Sequence, residues 1–122
     1  MPAKVADTSV LAALIYGEPQ SQQAEVLLAE AELFEPPLLS YELATVCRKK
    51  IAQYPNLTSK FLQALIGLSI DIQWVNVDHR AVVELSFERN LTTYDATFLW
   101  VSVTLEIPLL TFDKQLQAST TN

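Results

Sequence analysis

The sequence predicts a three-layer α/β/α domain, with a short, mostly parallel sheet flanked by helices. Three observations lead there. Short apolar stretches of strand character alternate with longer segments at helical spacing, and strands separated by helices need crossover connections, hence a parallel sheet. Half of the 122 residues are hydrophobic, enough for one core, and the length suits one domain over residues 1–122. The chain carries two glycines, one cysteine and one histidine. These counts exclude the glycine-rich dinucleotide loop, the P-loop, an intrachain disulfide framework, a cysteine zinc ribbon and an H-E-x-x-H zinc site.

Lys4-Val5-Ala6-Asp7 is expected to be a short strand ending in Asp. Thr8–Tyr16 follows as a helix, stopped by Gly17-Glu18-Pro19. From about Gln20 a second helix carries Ala24, Leu27, Leu28 and Ala31 on one face. Leu33-Phe34 is a second strand, and Pro36-Pro37 breaks the chain. Ser40 has the chemistry of an N-cap for a helix to about Gln53, with Leu43, Val46, Cys47 and Ile51 at helical spacing. After the Tyr54-Pro55-Asn56 turn, Thr58 to Ile70 is a helix that buries Phe61, Leu62, Leu65 and Leu68. Ile72–Val77 alternates as a strand, and Asp78 caps the helix after it. Thr92 or Thr93 caps a helix from Tyr94 to Leu105, apolar on nearly all sides and therefore expected in the core. Pro108–Phe112 is a last strand ending at Asp113, before a short helix.

In a sheet of this kind, sites form beyond the carboxyl ends of the strands. Asp7 and Asp113 both follow an apolar strand, so parallel pairing would bring both to one sheet edge. Glu42, two residues after Ser40, and Asp95, two or three after the threonine pair, are placed in the first turns of their helices. Each has a plainer reading, as a helix-dipole partner or a turn residue. Asp95 resists it, because an acid at the mouth of a buried helix is costly unless paired or bound to something. Asp78 is a positional rival, but its neighbours His79 and Arg80 and its fit as a cap favour a structural role.

A meeting of four carboxylates demands a cation. Two like charges about 4 Å apart repel by roughly 4 kcal/mol at an effective dielectric of 20. Several such pairs would rival a domain's net stability of about 5–15 kcal/mol. All-oxygen ligands select Mg²⁺ or Mn²⁺ over zinc, and such clusters hydrolyse phosphodiesters. The net charge of −6, from 14 acidic against 8 basic residues, disfavours passive coating of nucleic acid but is compatible with a nuclease whose acids hold metal.

Four segments resemble the PIN domain family, specifically the small VapC-type toxins of toxin–antitoxin pairs. They are Val5-Ala6-Asp7-Thr8-Ser9-Val10-Leu11, the helix-borne Glu42 in Leu39-Ser40-Tyr41-Glu42-Leu43, Leu91-Thr92-Thr93-Tyr94-Asp95-Ala96, and Leu109-Leu110-Thr111-Phe112-Asp113-Lys114-Gln115-Leu116. They occur in the family's order and span nearly the whole chain. The resemblance implies an endoribonuclease that binds one or two Mg²⁺ or Mn²⁺ ions through Asp7, Glu42, Asp95 and Asp113, and cleaves RNA with a metal-activated water. It implies that Thr111 helps position a carboxylate or water. It also implies a homodimer and a cognate antitoxin protein that blocks the acid cleft. Thr45 stands where many relatives carry Asn, and Glu106 occupies a turn often built with Gly.

The Arg48-Lys49-Lys50 run reads first as a helix C-terminus complementing its dipole. Lys49, on the Glu42 side, is a candidate phosphate contact, as are Lys4 and Lys114. Trp74, Trp100, Phe98 and Phe112 are assigned to packing. Surplus apolar residues at Ala12–Tyr16 and Phe61–Leu68 suggest an interface between copies. No run reaches the length of a membrane span and the first residues lack a signal peptide's apolar stretch, so the expected setting is a reducing cytoplasm. Two other classes compete. One is a PIN-like protein-interaction module without activity, disfavoured because all four acids are present. The other is a phosphoacceptor receiver domain, which Lys114 directly after Asp113 fits poorly.

Overall fold

The computed structural model describes residues 1–68 and 71–120. In chain order the elements are β1 (Ala3–Ala6), α1 (Thr8–Tyr16), α2 (Ser21–Leu28), β2 (Glu32–Glu35), α3 (Leu38–Gln53), a 3₁₀ turn (Pro55–Leu57), α4 (Thr58–Leu68), β3 (Ile72–Trp74), α5 (His79–Arg89), α6 (Thr93–Leu105), β4 (Leu109–Leu110) and α7 (Lys114–Ser119). The last turn expected for α4, at 69–70, lies outside the described residues.

All strand pairs are parallel, in the order β3-β2-β1-β4. The chain lays down β1, β2 and β3 outward, then returns to the other side of β1 as β4. The direction of winding therefore reverses between β1 and β4, and that switch point opens a crevice at their carboxyl ends. The helices pack in two groups, α1 to α4 among themselves and α5 on α6, with α6 lying against β1, β2 and β4. The mixed α/β class and flanked parallel sheet are as the sequence predicts. The core joins Val5 and Ala6 of β1 to Val10 and Leu11 of α1, Leu39 and Leu43 of α3, and Phe98 and Val101 of α6. Each side chain of that size contributes about 1.5–3 kcal/mol by leaving water.

Several boundaries differ from expectation. The α3 helix begins at Leu38, with Pro37 and not Ser40 at its N-cap. The two prolines start this helix as much as they break the strand before it. Pro37 holds a helical φ of −55°, and the Leu39 and Ser40 amides donate to the Pro36 and Pro37 carbonyls, each at 3.0 Å. Glu42 thus falls in the second turn, which weakens its reading as a helix-dipole partner. The β3 strand ends at Trp74, not Val77. Its partner β2 runs into Pro36, which has no amide to extend the ladder, and the last bond is Val75 N–H to the Glu35 carbonyl, 2.9 Å. The β4 strand is cut to two residues because β1 turns into α1 after Ala6, the partner of Leu110.

The α6 helix is buried through its middle, at Ala96–Leu99 and Val101, and not at its ends. Val103 and Leu105, expected in the core, are 54% and 40% exposed. Trp74, on the edge strand, is 42% exposed. Ala12, Ala13 and Tyr16 of α1 are spent inside the core, where Tyr16 meets Phe61 edge to face at 5.8 Å and donates to the Leu43 carbonyl at 3.0 Å.

Among the described residues, three helices end in left-handed residues of unequal suitability, and Asn90, which closes α5 at φ 53°, has a side chain that tolerates the region. Gly17 closes α1 at φ 67°, and Glu106 closes α6 at φ 56°. A glutamate in that region is strained. Glu106→Gly is expected to stabilise the fold by roughly 0.5–1 kcal/mol, about 2–4 °C in Tm. An unchanged or lowered melting temperature would contradict this.

Candidate active site

Beyond the carboxyl ends of β1 and β4 lies a cleft of about 520 Å³, whose lining includes Asp7, Glu42, Asp95 and Asp113 together with Thr8, Ser9, Tyr41, Thr45 and Tyr94. Four elements deliver the four acids. Asp7 leaves β1 and caps α1, its Oδ1 accepting from Val10 N–H at 3.4 Å. Glu42 comes from the second turn of α3 and Asp95 from the first turn of α6. Asp113 caps α7, its Oδ1 accepting from Leu116 N–H at 2.9 Å. Asp78 caps α5 through Ala81 N–H at 3.1 Å and is not part of the cleft lining.

Hydroxyls hold these acids in place. Ser9 Oγ donates to Asp7 Oδ1 at 2.6 Å, and Thr111 Oγ1 donates to Asp7 Oδ2 at 2.5 Å. The same two hydroxyls accept from the last segment of the chain, Ser9 from Phe112 N–H at 3.0 Å and Thr111 from Asp113 N–H at 2.9 Å. They therefore tie β1 to the segment bearing Asp113. Thr8 Oγ1 donates to Glu42 Oε1 at 2.5 Å. Asp95 has no side-chain hydrogen bond among the described residues.

The lining contains no lysine or arginine. Burial is the main cause that raises the pKa values of Asp7, Glu42 and Asp95 above the ordinary carboxylate range. For Asp7, hydrogen bonds from Ser9, Thr111 and the α1 backbone oppose the rise. For Glu42 the Thr8 bond opposes it, while the charges of Asp95 and Asp7 add to it. For Asp95 the charges of Asp113 and Asp7 add to it. Such a cluster favours protons or a cation. Among the described residues, no three acid, histidine or cysteine side chains stand close enough as they are to enclose one ion. Both Asp7 oxygens and one Glu42 oxygen accept from hydroxyls, and one Asp113 oxygen accepts from an amide. Their hard, all-oxygen character still fits a Mg²⁺- or Mn²⁺-like ion, with part of each acid's lone-pair capacity left over.

Other candidate residues are placed elsewhere. Lys49 is not part of the cleft lining. Lys50, in the last turn of α3, pairs with Glu18 at 3.3 Å. Lys4 donates to the Leu27 carbonyl at 2.8 Å, so its ammonium braces the end of α2 and is not offered to phosphate. Thr45 lines the cleft while its hydroxyl bonds back to the Tyr41 carbonyl at 3.1 Å.

One acid escaped sequence reasoning. Glu35, the last residue of β2, is fully buried. Its Oε2 accepts from Ala6 N–H at 2.8 Å, and its Oε1 has no partner among the described residues. It pairs across the end of the sheet beside Asp7. Burial drives its pKa well up, the Ala6 bond opposes this, and the charge of Asp7 adds to it. A partial signal existed, since a central parallel strand between helices is covered on both faces, but that β2 is central comes only from the sheet order.

The cleft is thus an acid-lined, cation-poor crevice at the switch point of a parallel α/β sheet. The PIN domain family matches residues 4–120, and the chain belongs to that family. PIN domains are generally nucleases and usually bind divalent metals. Among solved structures, the crystal structure of PAE2754 from Pyrobaculum aerophilum superposes with a TM-score of 0.80 at 22% identity, covering 98% of this chain and 86% of that one. That likeness concerns the fold. No curated protein matches the chain. Among the described residues, no helix is long and apolar enough to cross a membrane.

Proposed function

We propose that this protein is a Mg²⁺- or Mn²⁺-dependent endoribonuclease of the VapC toxin type, with Asp7, Glu42, Asp95 and Asp113 as its metal-binding and catalytic acids. The observation that carries this reading is the convergence of four carboxylates, unaccompanied by any basic side chain, on one cleft. The four motif segments of the sequence support the toxin subfamily. A bound ion would lower the pKa of a water and offset the charge of the phosphate. The chain's own residues do the rest. Ser9 and Thr111 fix both oxygens of Asp7, Thr8 fixes Glu42, and the Thr111 bridge sets Asp113 relative to Asp7. His79, the single histidine, is not part of the acid cleft lining, so attack by the RNA 2′-hydroxyl between two histidines has no counterpart here.

The reading includes a cognate antitoxin that occupies the cleft with a Lys- or Arg-bearing segment, since a cation from a partner answers the same repulsion as a metal. It includes a homodimer, for which α4 is the better candidate face: Leu62 and Ile66 are exposed there, whereas α1 is used up in the core. It also includes a cytoplasmic setting, which suits the free, buried thiol of Cys47.

The test is cleavage of single-stranded RNA by the purified chain. Cleavage is expected with Mg²⁺ or Mn²⁺ and abolished by EDTA. Cleavage that survives EDTA, or that the Asp7→Asn chain performs equally well, would defeat the nuclease assignment. A supporting variant is Thr111→Val, which strips one hydrogen bond from Asp7 and one from the Asp113 amide. Loss of such an outer partner lowers metal affinity or activity by about 10–100-fold. Thr111→Ser should restore most of it, and equal losses in both variants would count against the hydroxyl's role.

A further inference from the structure

A second groove of about 660 Å³ adjoins the acid cleft, and Leu38, Tyr41 and Tyr94 line both. The two are unlike in chemistry. No acid lines the second groove, while Asn76, His79, Thr93 and Thr97 supply polar groups among apolar neighbours. Its size falls within the range of small-molecule sites, about 300–1,000 Å³. At the boundary, Tyr41 is 74% and Tyr94 61% exposed. They come from different helices, α3 and α6, and neither hydroxyl makes a hydrogen bond among the described residues.

We propose that this groove receives a nucleobase of single-stranded RNA next to the scissile phosphate, with Tyr41 and Tyr94 as its stacking surfaces. The inference rests on the nuclease reading and adds a base subsite to it. Phosphate is a poor occupant, because no lysine or arginine lines the groove. A neutral heteroaromatic ring suits it: its faces meet the phenol rings and its edges meet amide, imidazole and hydroxyl groups. Bases paired in an A-form duplex present neither to such a groove, so the substrate must be unpaired there. Stacking tolerates every base, so discrimination among bases falls to the polar wall, where Asn76 offers an amide donor and a carbonyl acceptor side by side.

The experiment is Mn²⁺-dependent cleavage of uridylate, adenylate and cytidylate octamers by the full chain, with KM and kcat separated. Tyr41→Ala and Tyr94→Ala are each expected to raise KM, within the about 5–150-fold that loss of one stacked base implies. Tyr41→Phe and Tyr94→Phe should keep wild-type KM, and Asn76→Ala should change the ratio of kcat/KM among the three octamers. Alanine variants with wild-type KM would overturn the proposal, as would phenylalanine variants that lose as much as alanine. Alanine variants that keep RNA cleavage but lose a protein partner would overturn it in favour of protein docking. An active wild type with unaffected tyrosine variants fails this inference alone, whereas a wild type without metal-dependent cleavage fails the nuclease reading and the subsite with it.

Discussion

Asp95→Asn is expected to cut metal-dependent RNA cleavage by more than about 100-fold and yet to raise the melting temperature of the metal-free protein. The bound on activity follows from comparison: losing an outer partner of a ligand already costs about 10–100-fold, and Asp95 belongs to the acid cluster itself. The stability gain follows from its surroundings. Its carboxylate has no hydrogen-bond donor among the described residues, and burial, with Asp113 and Asp7 nearby, works against its charge. Asparagine removes that charge at nearly constant shape, while the Thr92 cap on the Asp95 amide, 3.1 Å, is untouched because it is made by backbone. Asp7→Asn should be just as inactive but gain less in Tm, since an amide nitrogen cannot accept from Ser9 or Thr111. Cleavage rates and thermal melts of the two variants without metal decide the matter. An Asp95→Asn protein within tenfold of wild-type activity, or less stable than wild type, would remove Asp95 from the proposed machinery.

The parts of the fold that local chemistry dictates were legible in the sequence. Asp78 and Thr92 cap the helices they were expected to cap, and Gly17 ends α1. That parallel pairing would bring Asp7 and Asp113 to one edge was legible too, but that β1 and β4 are neighbours comes only with the sheet order. What stayed hidden depends on where neighbouring chain ends. The β3 and β4 strands are short because Pro36 and the start of α1 withdraw their partners, which no property of Ile72–Val77 or Pro108–Phe112 encodes. Lys4 looked available beside Asp7 until α2 placed the Leu27 carbonyl within its reach. Glu35 looked like one acid among 14, and only the sheet order makes it buried beside β1. Tyr41 and Tyr94 have the composition of core residues; their exposure appears only once α3 and α6 are set side by side.

Without metal, the protein is expected to be more stable near pH 5 than near pH 8. Asp7, Glu35, Glu42 and Asp95 all have folded-state pKa values above the ordinary 3.8 of Asp and 4.5 of Glu. The native state therefore holds protons that the unfolded chain has released, and stability falls with rising pH wherever that holds. The contribution is complete below the ordinary values and is lost as pH climbs through each raised one, about 1.4 kcal/mol for every unit of separation. Mg²⁺ or Mn²⁺ at pH 8 should restore the part owed to Asp7, Glu42 and Asp95, by about 2.7 kcal/mol at a hundred times its Kd. It should not restore the part owed to Glu35, which is not part of the cleft lining. Glu35→Gln, which makes that side chain permanently neutral, should flatten the remaining slope. Thermal melts across pH, with and without the ion, separate the two contributions. A metal-free protein whose stability rises from pH 5 to pH 8 would show that the carboxylates are not held against their charge, and the physical case for a cation in the cleft would go with it.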